Sequence, residues 1–333
     1  MSSQREDSIP HELRTAAEPR QNRLYPVRLT HVEQVNSSVR LLQFAIPTQE
    51  SHNDKQQPFS FLPGQWLDVH IPSITQAGGF TITSTPADAQ PLSLPISPTE
   101  TLAGEEAGSS IAWQGRAPFV ELAVQESPNN PSAAWLWRPK EQILGRELNI
   151  RVGGSFVWPP TGVDLHSVKN VILIAGGVGI NPLISILSHL NNQSQPPQPL
   201  DIHFLYSSRV PQEHESSLDA VLDQVLFLAR LRQIIRSQSQ SHRLRISVDL
   251  FLTNLASNHL TSSDIPADLV IHPRRISRQD LHSAVAGRDG KLDPQNAVAY
   301  VCGPPKMTDE MVELLKGNLG EGGEERVFFE KWW

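Results

Sequence analysis

Two short turns carry the residues with the clearest chemical potential. The first, Gly176-Gly177-Val178-Gly179-Ile180-Asn181-Pro182, follows the apolar run Val171–Ala175 and opens an apolar-periodic helix predicted over 182–190. Small residues at such a strand-to-helix turn let a backbone approach a pyrophosphate, and the helix start offers free N–H groups and a positive dipole. Pro182 suits that first turn, where its missing N–H needs no partner. A tight turn without a ligand is the alternative, but the flanking strand and helix favour nucleotide binding. The second turn, Cys302-Gly303-Pro304-Pro305-Lys306-Met307, follows a strand predicted over 297–301. Its thiol is small and polarisable enough to lie against a planar ring, with a buried inert cysteine as the alternative. Nothing in the sequence sets a histidine base beside Cys302, as a cysteine nucleophile would want.

The first turn departs from the usual dinucleotide fingerprint. Pro182 stands at its third glycine, and the second strand ends in Ser207-Ser208-Arg209 where an acid would hold the ribose hydroxyls. A Rossmann dehydrogenase that needs no flavin therefore fits poorly. Arg209 suits a 2′-phosphate, an adenine or a ribose, so NADH and NADPH both stand, with NAD preferred.

The elements that position these turns change character along the chain. Residues 23–165 read as short strands (27–33, 39–46, 66–71, 79–84, 119–124 and 147–152) separated by Pro, Gly and Asn, the pattern of a small antiparallel β-barrel. The Ser-, Pro- and Gly-rich stretch 91–114 reads as an exposed insertion. From 166 to 333 strands and helices alternate, which predicts an α/β doubly wound parallel sheet. Its strands are expected at 171–175, 201–206, 244–252, 297–301 and 326–329, and its helices at 182–190, 216–236, 278–285 and 307–316. Residues 1–22 lack hydrophobic periodicity and read as a disordered tail or, given Arg5, Arg14 and Arg20, a mitochondrial presequence; Glu6, Asp7, Glu12 and Glu18 argue against the latter.

Composition removes other classes. The chain has 333 residues, room for about two domains. Its single cysteine excludes an internal disulfide and a Cys-rich metal cluster, so no metal site is expected. A net charge of −7 without a basic block gives no support for nucleic-acid binding. The longest apolar stretch, 171–180, is far short of the roughly 20 residues of a membrane span. A soluble intracellular protein, cytoplasmic or mitochondrial, is expected.

Pro63-Gly64-Gln65-Trp66, the strand Phe80-Thr81-Ile82-Thr83-Ser84, the Gly176–Pro182 turn and the Cys302-Gly303-Pro304-Pro305 turn occur in one order, and together they resemble the ferredoxin–NADP reductase superfamily. Within it, GGFTITSTP, RVGGSF, YVCGPPKMTD and the ending FEKWW resemble the eukaryotic branch of oxidoreductase NAD-binding domain-containing proteins. The resemblance implies a flavin-binding barrel followed by a nicotinamide-nucleotide domain. It implies FAD, with the smaller FMN as an alternative, and NAD(P)H as cofactors. The implied activity is hydride transfer from NAD(P)H to flavin and onward to an unknown electron acceptor.

Carried over by residue, Phe80 would stack on the flavin and Thr81 would stand near its reactive nitrogen as a catalytic group. Ile82 and Thr83 would follow the ribityl chain, and Ser132 and Ala133 would meet the pyrophosphate. Gly176, Gly177, Val178, Gly179, Ile180, Asn181 and Pro182 would hold the nicotinamide nucleotide, with Ser207, Ser208 and Arg209 at its far end. Cys302, Gly303, Pro304, Pro305 and Met307 would frame the nicotinamide, Cys302 as the second catalytic group. Trp332 and Trp333 would cover the flavin. Glu330 is expected as a solvated carboxylate, with proton traffic as the alternative. One departure matters: the family's Arg-x-Tyr-Ser begins here with Gly78, which removes a charge-assisted contact to the pyrophosphate. A nucleotide-binding regulatory or interaction protein on a degenerate reductase fold is therefore the second hypothesis. Gly179→Val is expected to block nicotinamide binding and spare flavin.

Overall fold

Period-2 alternation builds the first half. In strand β1 (Tyr25–Asn36), Tyr25, Val27 and Leu29 point inward and Pro26, Arg28 and Thr30 outward. A computed structural model describes residues 10–47, 58–92, 116–193, 199–209, 217–238, 243–254, 266, 269–287 and 289–332. With β2 (Val39–Ala45), β3 (Trp66–His70), β4 (Gly78–Thr81), β5 (Phe119–Gln125) and β6 (Glu147–Gly153), β1 forms an antiparallel sheet in the order β4-β3-β6-β1-β2-β5. Its two edges meet at the Ile82–Leu122 bridge and the Thr83 N–H to Glu121 carbonyl bond of 2.9 Å, which closes the sheet into a barrel. Leu29, Leu42, Phe44, Leu67, Ile82, Leu122 and Ile150 fill it.

Three short helices belong to this half: α1 (His11–Arg14), α2 (Pro131–Leu136) and α3 (Lys140–Ile143). Residues 10–22 correct the expectation of a disordered tail there. Their anchors are polar and long-range, such as the Gly154 N–H donating to the Pro19 carbonyl at 2.9 Å, and leave no hydrophobic period to read. Residues 1–9 lie outside the described residues, as does the expected insertion from residue 93 onward.

The second half is a parallel sheet in the order β10-β9-β8-β7-β11-β12, made of β7 (Asn170–Gly176), β8 (Leu200–Arg209), β9 (Leu244–Thr253), β10 (Val270–His272), β11 (Ala297–Gly303) and β12 (Val327–Lys331). Helices α4 (Ile180–Asn192), α5 (Leu218–Asp223) and α6 (Leu228–Gln238) cover one face, and α7 (Arg278–Ala286) and α8 (Pro305–Asn318) the other. β7 is buried throughout, as expected of a strand covered on both faces. The helix expected over 216–236 is instead two helices broken at Phe227, whose φ is +60°. Val225, Leu226 and Phe227 are three consecutive buried residues, and a single amphipathic helix would turn one of them to solvent. The halves are stitched by Tyr300 Oη to the Val157 carbonyl (2.8 Å), Ser185 Oγ to the Ser84 carbonyl (2.7 Å) and Arg230 to Glu121 (2.8 Å).

Candidate nucleotide cleft and barrel face

β7 and β11 are neighbours at the point where the strand order reverses, so their two turns meet at the carboxyl end of the sheet. The glycines there mostly serve each other. A side chain on Gly176 would meet Met307 and Pro304, one on Gly179 would strike the Cys302 carbonyl, and one on Gly303 would crowd the Gly176 backbone. Only Gly177, at φ +56°, faces open space. Ile180 and Pro182 are buried, and Asn181 donates to the Ala123 carbonyl of β5 at 3.0 Å, tying the halves together. Of the seven turn residues, Gly177 and Val178 line an opening.

That opening is a cleft of about 450 Å³. Gly177, Val178, Tyr206, Ser208 and Arg209 form its α/β side; Asn36–Val39 and Gln125 close it from the barrel. Its volume lies in the range of small-molecule sites. A 3₁₀ turn, Gly177–Gly179, leads into α4 without a side-chain cap, and Ile180 already donates its N–H to the Gly177 carbonyl, so the positive end of the helix dipole lies at that turn. Ser207 is held in the sheet between Gly176 and Phe251 and does not line the cleft. Sequence reasoning missed Tyr206, whose hydroxyl burial pushes up, although it directly precedes Ser207-Ser208-Arg209. The barrel's contributors could not be found from sequence, because they come from the β1–β2 hairpin and the end of β5.

Cys302 is fully buried between Ala175 and Glu330 on the neighbouring strands. Burial pushes its thiol up, and the Glu330 carboxyl adds to that, while the Trp332 indole opposes it. The side chain is therefore a neutral packing group. Pro304 is exposed, and Pro305 and Met307 are half-buried. Trp332 donates its backbone N–H to the Gly303 carbonyl at 3.0 Å, which fixes it to the cysteine turn; Trp333 lies outside the described residues. Glu330 corrects the expectation of a solvated carboxylate. Its Oε2 is shielded from water without a hydrogen-bond partner among the described residues, and burial together with the Glu18 charge pushes its pKa up to about 8.

On the barrel, register sorts the flavin-motif residues. Thr81, Trp66 and Gly153 form one row across β4-β3-β6, and Gly79, Asp68 and Arg151 the next; both face away from the barrel core. Phe80, opposite Leu67 and Val152, points inward and is 7% exposed, so it offers no open ring face. The Thr81 hydroxyl and the Trp66 indole N–H are both buried without a partner among the described residues. Ile82 closes the barrel, and Thr83 donates to Glu121 Oε1 at 2.8 Å. The Ser132 and Ala133 N–H groups are both taken by Asn130 Oδ1, at 3.1 and 3.2 Å. A side chain on Gly78 would meet Ser132 and the Phe80 ring, so the motif's arginine has no room there. These residues do not fit FAD bound through its pyrophosphate.

A closed antiparallel barrel followed by a doubly wound parallel sheet, with a cleft at the sheet's switch point, defines the ferredoxin–NADP reductase-like class. Residues 168–315 match the model of the ferric reductase NAD binding domain. The chain is 30% identical over 332 residues to zebrafish (Danio rerio) oxidoreductase NAD-binding domain-containing protein 1, covering 97% of each. The human protein of that name is 28% identical, with 97% of this chain and 84% of the human one covered. The chain belongs to the oxidoreductase NAD-binding domain-containing protein 1 family. Among solved structures, a ferredoxin–NADP⁺ reductase from Neisseria gonorrhoeae with bound FAD and NADP shares the fold (TM-score 0.55, 13% identity, 94% of this chain and all of that one). A flavohemoglobin from Malassezia yamatoensis with bound FAD and heme does so as well (TM-score 0.58, 17% identity, 97% and 63%). Among the described residues no helix is long and apolar enough to cross a membrane.

Proposed function

We propose that this chain binds a nicotinamide nucleotide in the seam cleft and serves as the NAD(P)H-handling oxidoreductase of its family. The observation that supports this most is the convergence of Gly177, Val178, Ser208 and Arg209 on one cleft beside the uncapped start of α4. The backbone N–H groups at Gly177 and Val178, at the positive end of the α4 dipole, suit the pyrophosphate. Arg209, exposed at the end of β8 and lining the cleft, suits a ribose or its 2′-phosphate. Trp332 is fixed to the cysteine turn by its N–H bond to the Gly303 carbonyl, beside the exposed Pro304. When bound, the nicotinamide supplies two electrons and a proton as hydride. The chain's own task is to hold the nucleotide and keep water out, since Cys302 is buried and neutral and Glu330 holds its proton at neutral pH.

The barrel supports the second reading for its own half. With Gly78 in place of arginine and the α2 N–H groups already satisfied, flavin-dependent turnover is not built in as a resident FAD site. Titration of the full chain with NADH and NADPH, followed by tryptophan fluorescence and calorimetry, tests the proposal. Saturable binding of either nucleotide at micromolar concentration is expected. Absence of binding up to millimolar nucleotide overturns it.

A further inference from the structure

The two halves enclose a second cavity, of about 420 Å³, which shares no lining residue with the nucleotide cleft. Its barrel wall is the closing edge of the sheet, Thr83 to Thr85 and Glu121, with Asp88 and Arg116 beside it. The facing wall is the C-terminal end of α4, at Ser188, Asn191 and Asn192, and one side of α6, at Arg230 and Gln233. The cleft turn leads into the start of α4, and this cavity lies at its other end.

The charges that line it are matched. Arg230 Nη2 donates to Glu121 Oε1 at 2.8 Å, and Arg116 Nη2 lies 2.8 Å from Asp88 Oδ1. Glu121 is 4% exposed, and its carboxylate also accepts from Thr83 Oγ1 at 2.8 Å and Gln43 Nε2 at 3.2 Å. Asp88 Oδ2 accepts from the Thr85 N–H and hydroxyl, each at 2.8 Å. Two cations paired with two anions leave no net charge to select an ion. The groups left over are neutral and of both kinds. Ser188 Oγ is shielded from water without a partner among the described residues, although buried polar atoms are nearly always paired. Gln43 Oε1, an acceptor, and Asn191 Nδ2, a donor, also have none there, nor does the Gln233 amide. Hydroxyl groups match such a mixture, because each donates one hydrogen bond and accepts two.

We propose that this cavity binds a neutral polyhydroxylated molecule of one or two sugar rings, held between the halves by amides and hydroxyls rather than by charge. Its volume lies in the range of small-molecule sites. Because both halves line it, the occupant binds only their docked arrangement and stabilises that arrangement by mass action. The site goes beyond nucleotide binding in the seam cleft and does not depend on it.

The test uses the full chain, with glucose, sucrose and myo-inositol as probes at millimolar concentration. Saturation-transfer NMR is expected to show saturable binding of at least one of them. Saturation is the required sign, because sugars at high concentration stabilise folded proteins merely by exclusion from their surface. The Asn192→Ala/Gln233→Ala variant changes two exposed side chains whose one bond among the described residues is the 3.5 Å contact of Asn192 with Thr85. It is expected to bind the same probe at least tenfold more weakly. Absence of saturable transfer to all three probes overturns the proposal, as does unchanged affinity in a variant with native far-UV circular dichroism. Displacement of the sugar by inorganic phosphate at equal concentration overturns the neutral class of ligand. Saturating NADH is expected to leave sugar binding in place, and competition overturns a separate site. Failure of NADH itself to bind counts against the seam cleft and not against this cavity.

Discussion

The two halves present opposite solutions at corresponding places. At the carboxyl end of the parallel sheet the cleft at Gly177, Ser208 and Arg209 is open, and the start of α4 has no side-chain cap. On the barrel the face at Gly79 and Trp66 is shut by residues from the same chain, and the short α2 is capped by Asn130. The lesson is that one chain can leave the end of its parallel sheet open while it packs the corresponding barrel face shut. Glycine makes the same point twice. At 176, 179 and 303 it lets two turns interlock, whereas at 79 it makes room for His11.

The largest effect that would sharpen this contrast is expected from Gly179→Val. The added side chain would strike the Cys302 carbonyl in a buried turn, so the variant should lose about 3 kcal/mol of stability in urea unfolding. Unimpaired stability with lost NADH binding would restore a phosphate-facing role for Gly179.

Asp68→Ala is expected to cost slightly less, about 2–3 kcal/mol, because Arg20 and Arg151 lose a buried partner but reach solvent in part. Burial alone would raise the Asp68 pKa; bonds from His11 and Arg151 and the Arg20 charge overcome it and hold it at about 2. A depressed folded-state pKa gives stability that is present above about pH 4 and lost as pH falls toward 2, so urea midpoints of the parent should drop over that window more than those of the variant.

Arg209→Ala should weaken nucleotide binding by about tenfold, near 1.4 kcal/mol, and the loss should be larger for NADPH if the guanidinium meets a 2′-phosphate. Equal affinities in parent and variant would move the nucleotide away from β8.

Glu330→Gln is expected to act through the pH dependence of stability. A carboxyl whose folded-state pKa is raised to about 8 contributes stability below about pH 4.5 that is lost progressively as pH rises to 8. The substitution should flatten the melting temperature between pH 5 and 8 relative to the parent. An unchanged slope would mean that Glu330 is solvated.

Much of the fold was legible from the sequence because its signals are local. Alternation in 25–29, the apolar run before Gly176 and the switch from strands to strand–helix pairs each depend on neighbours a few residues apart. The misreadings share one cause. Phe227 breaks a helix because three consecutive side chains must all reach the core, and Phe80 turns inward because register pairs it with Leu67. Glu330 is paired opposite the buried Cys302 in the sheet, and the Glu18 charge from the other half adds to its raised pKa. None of these partners is close in sequence.

By itself the sequence determined the order of barrel and parallel sheet, the two turns at the switch point and the absence of an arginine at Gly78. It could do so because residue type and spacing fix backbone preference and periodicity. Only the tertiary structure decided which of those turn residues face a cleft, that the lone thiol is sealed, and that residues 10–21 pack over Trp66 and Asp68. Those outcomes rest on contacts such as Arg20 with Asp68 and Gly179 with the Cys302 carbonyl, between atoms that meet only when distant strands are brought side by side.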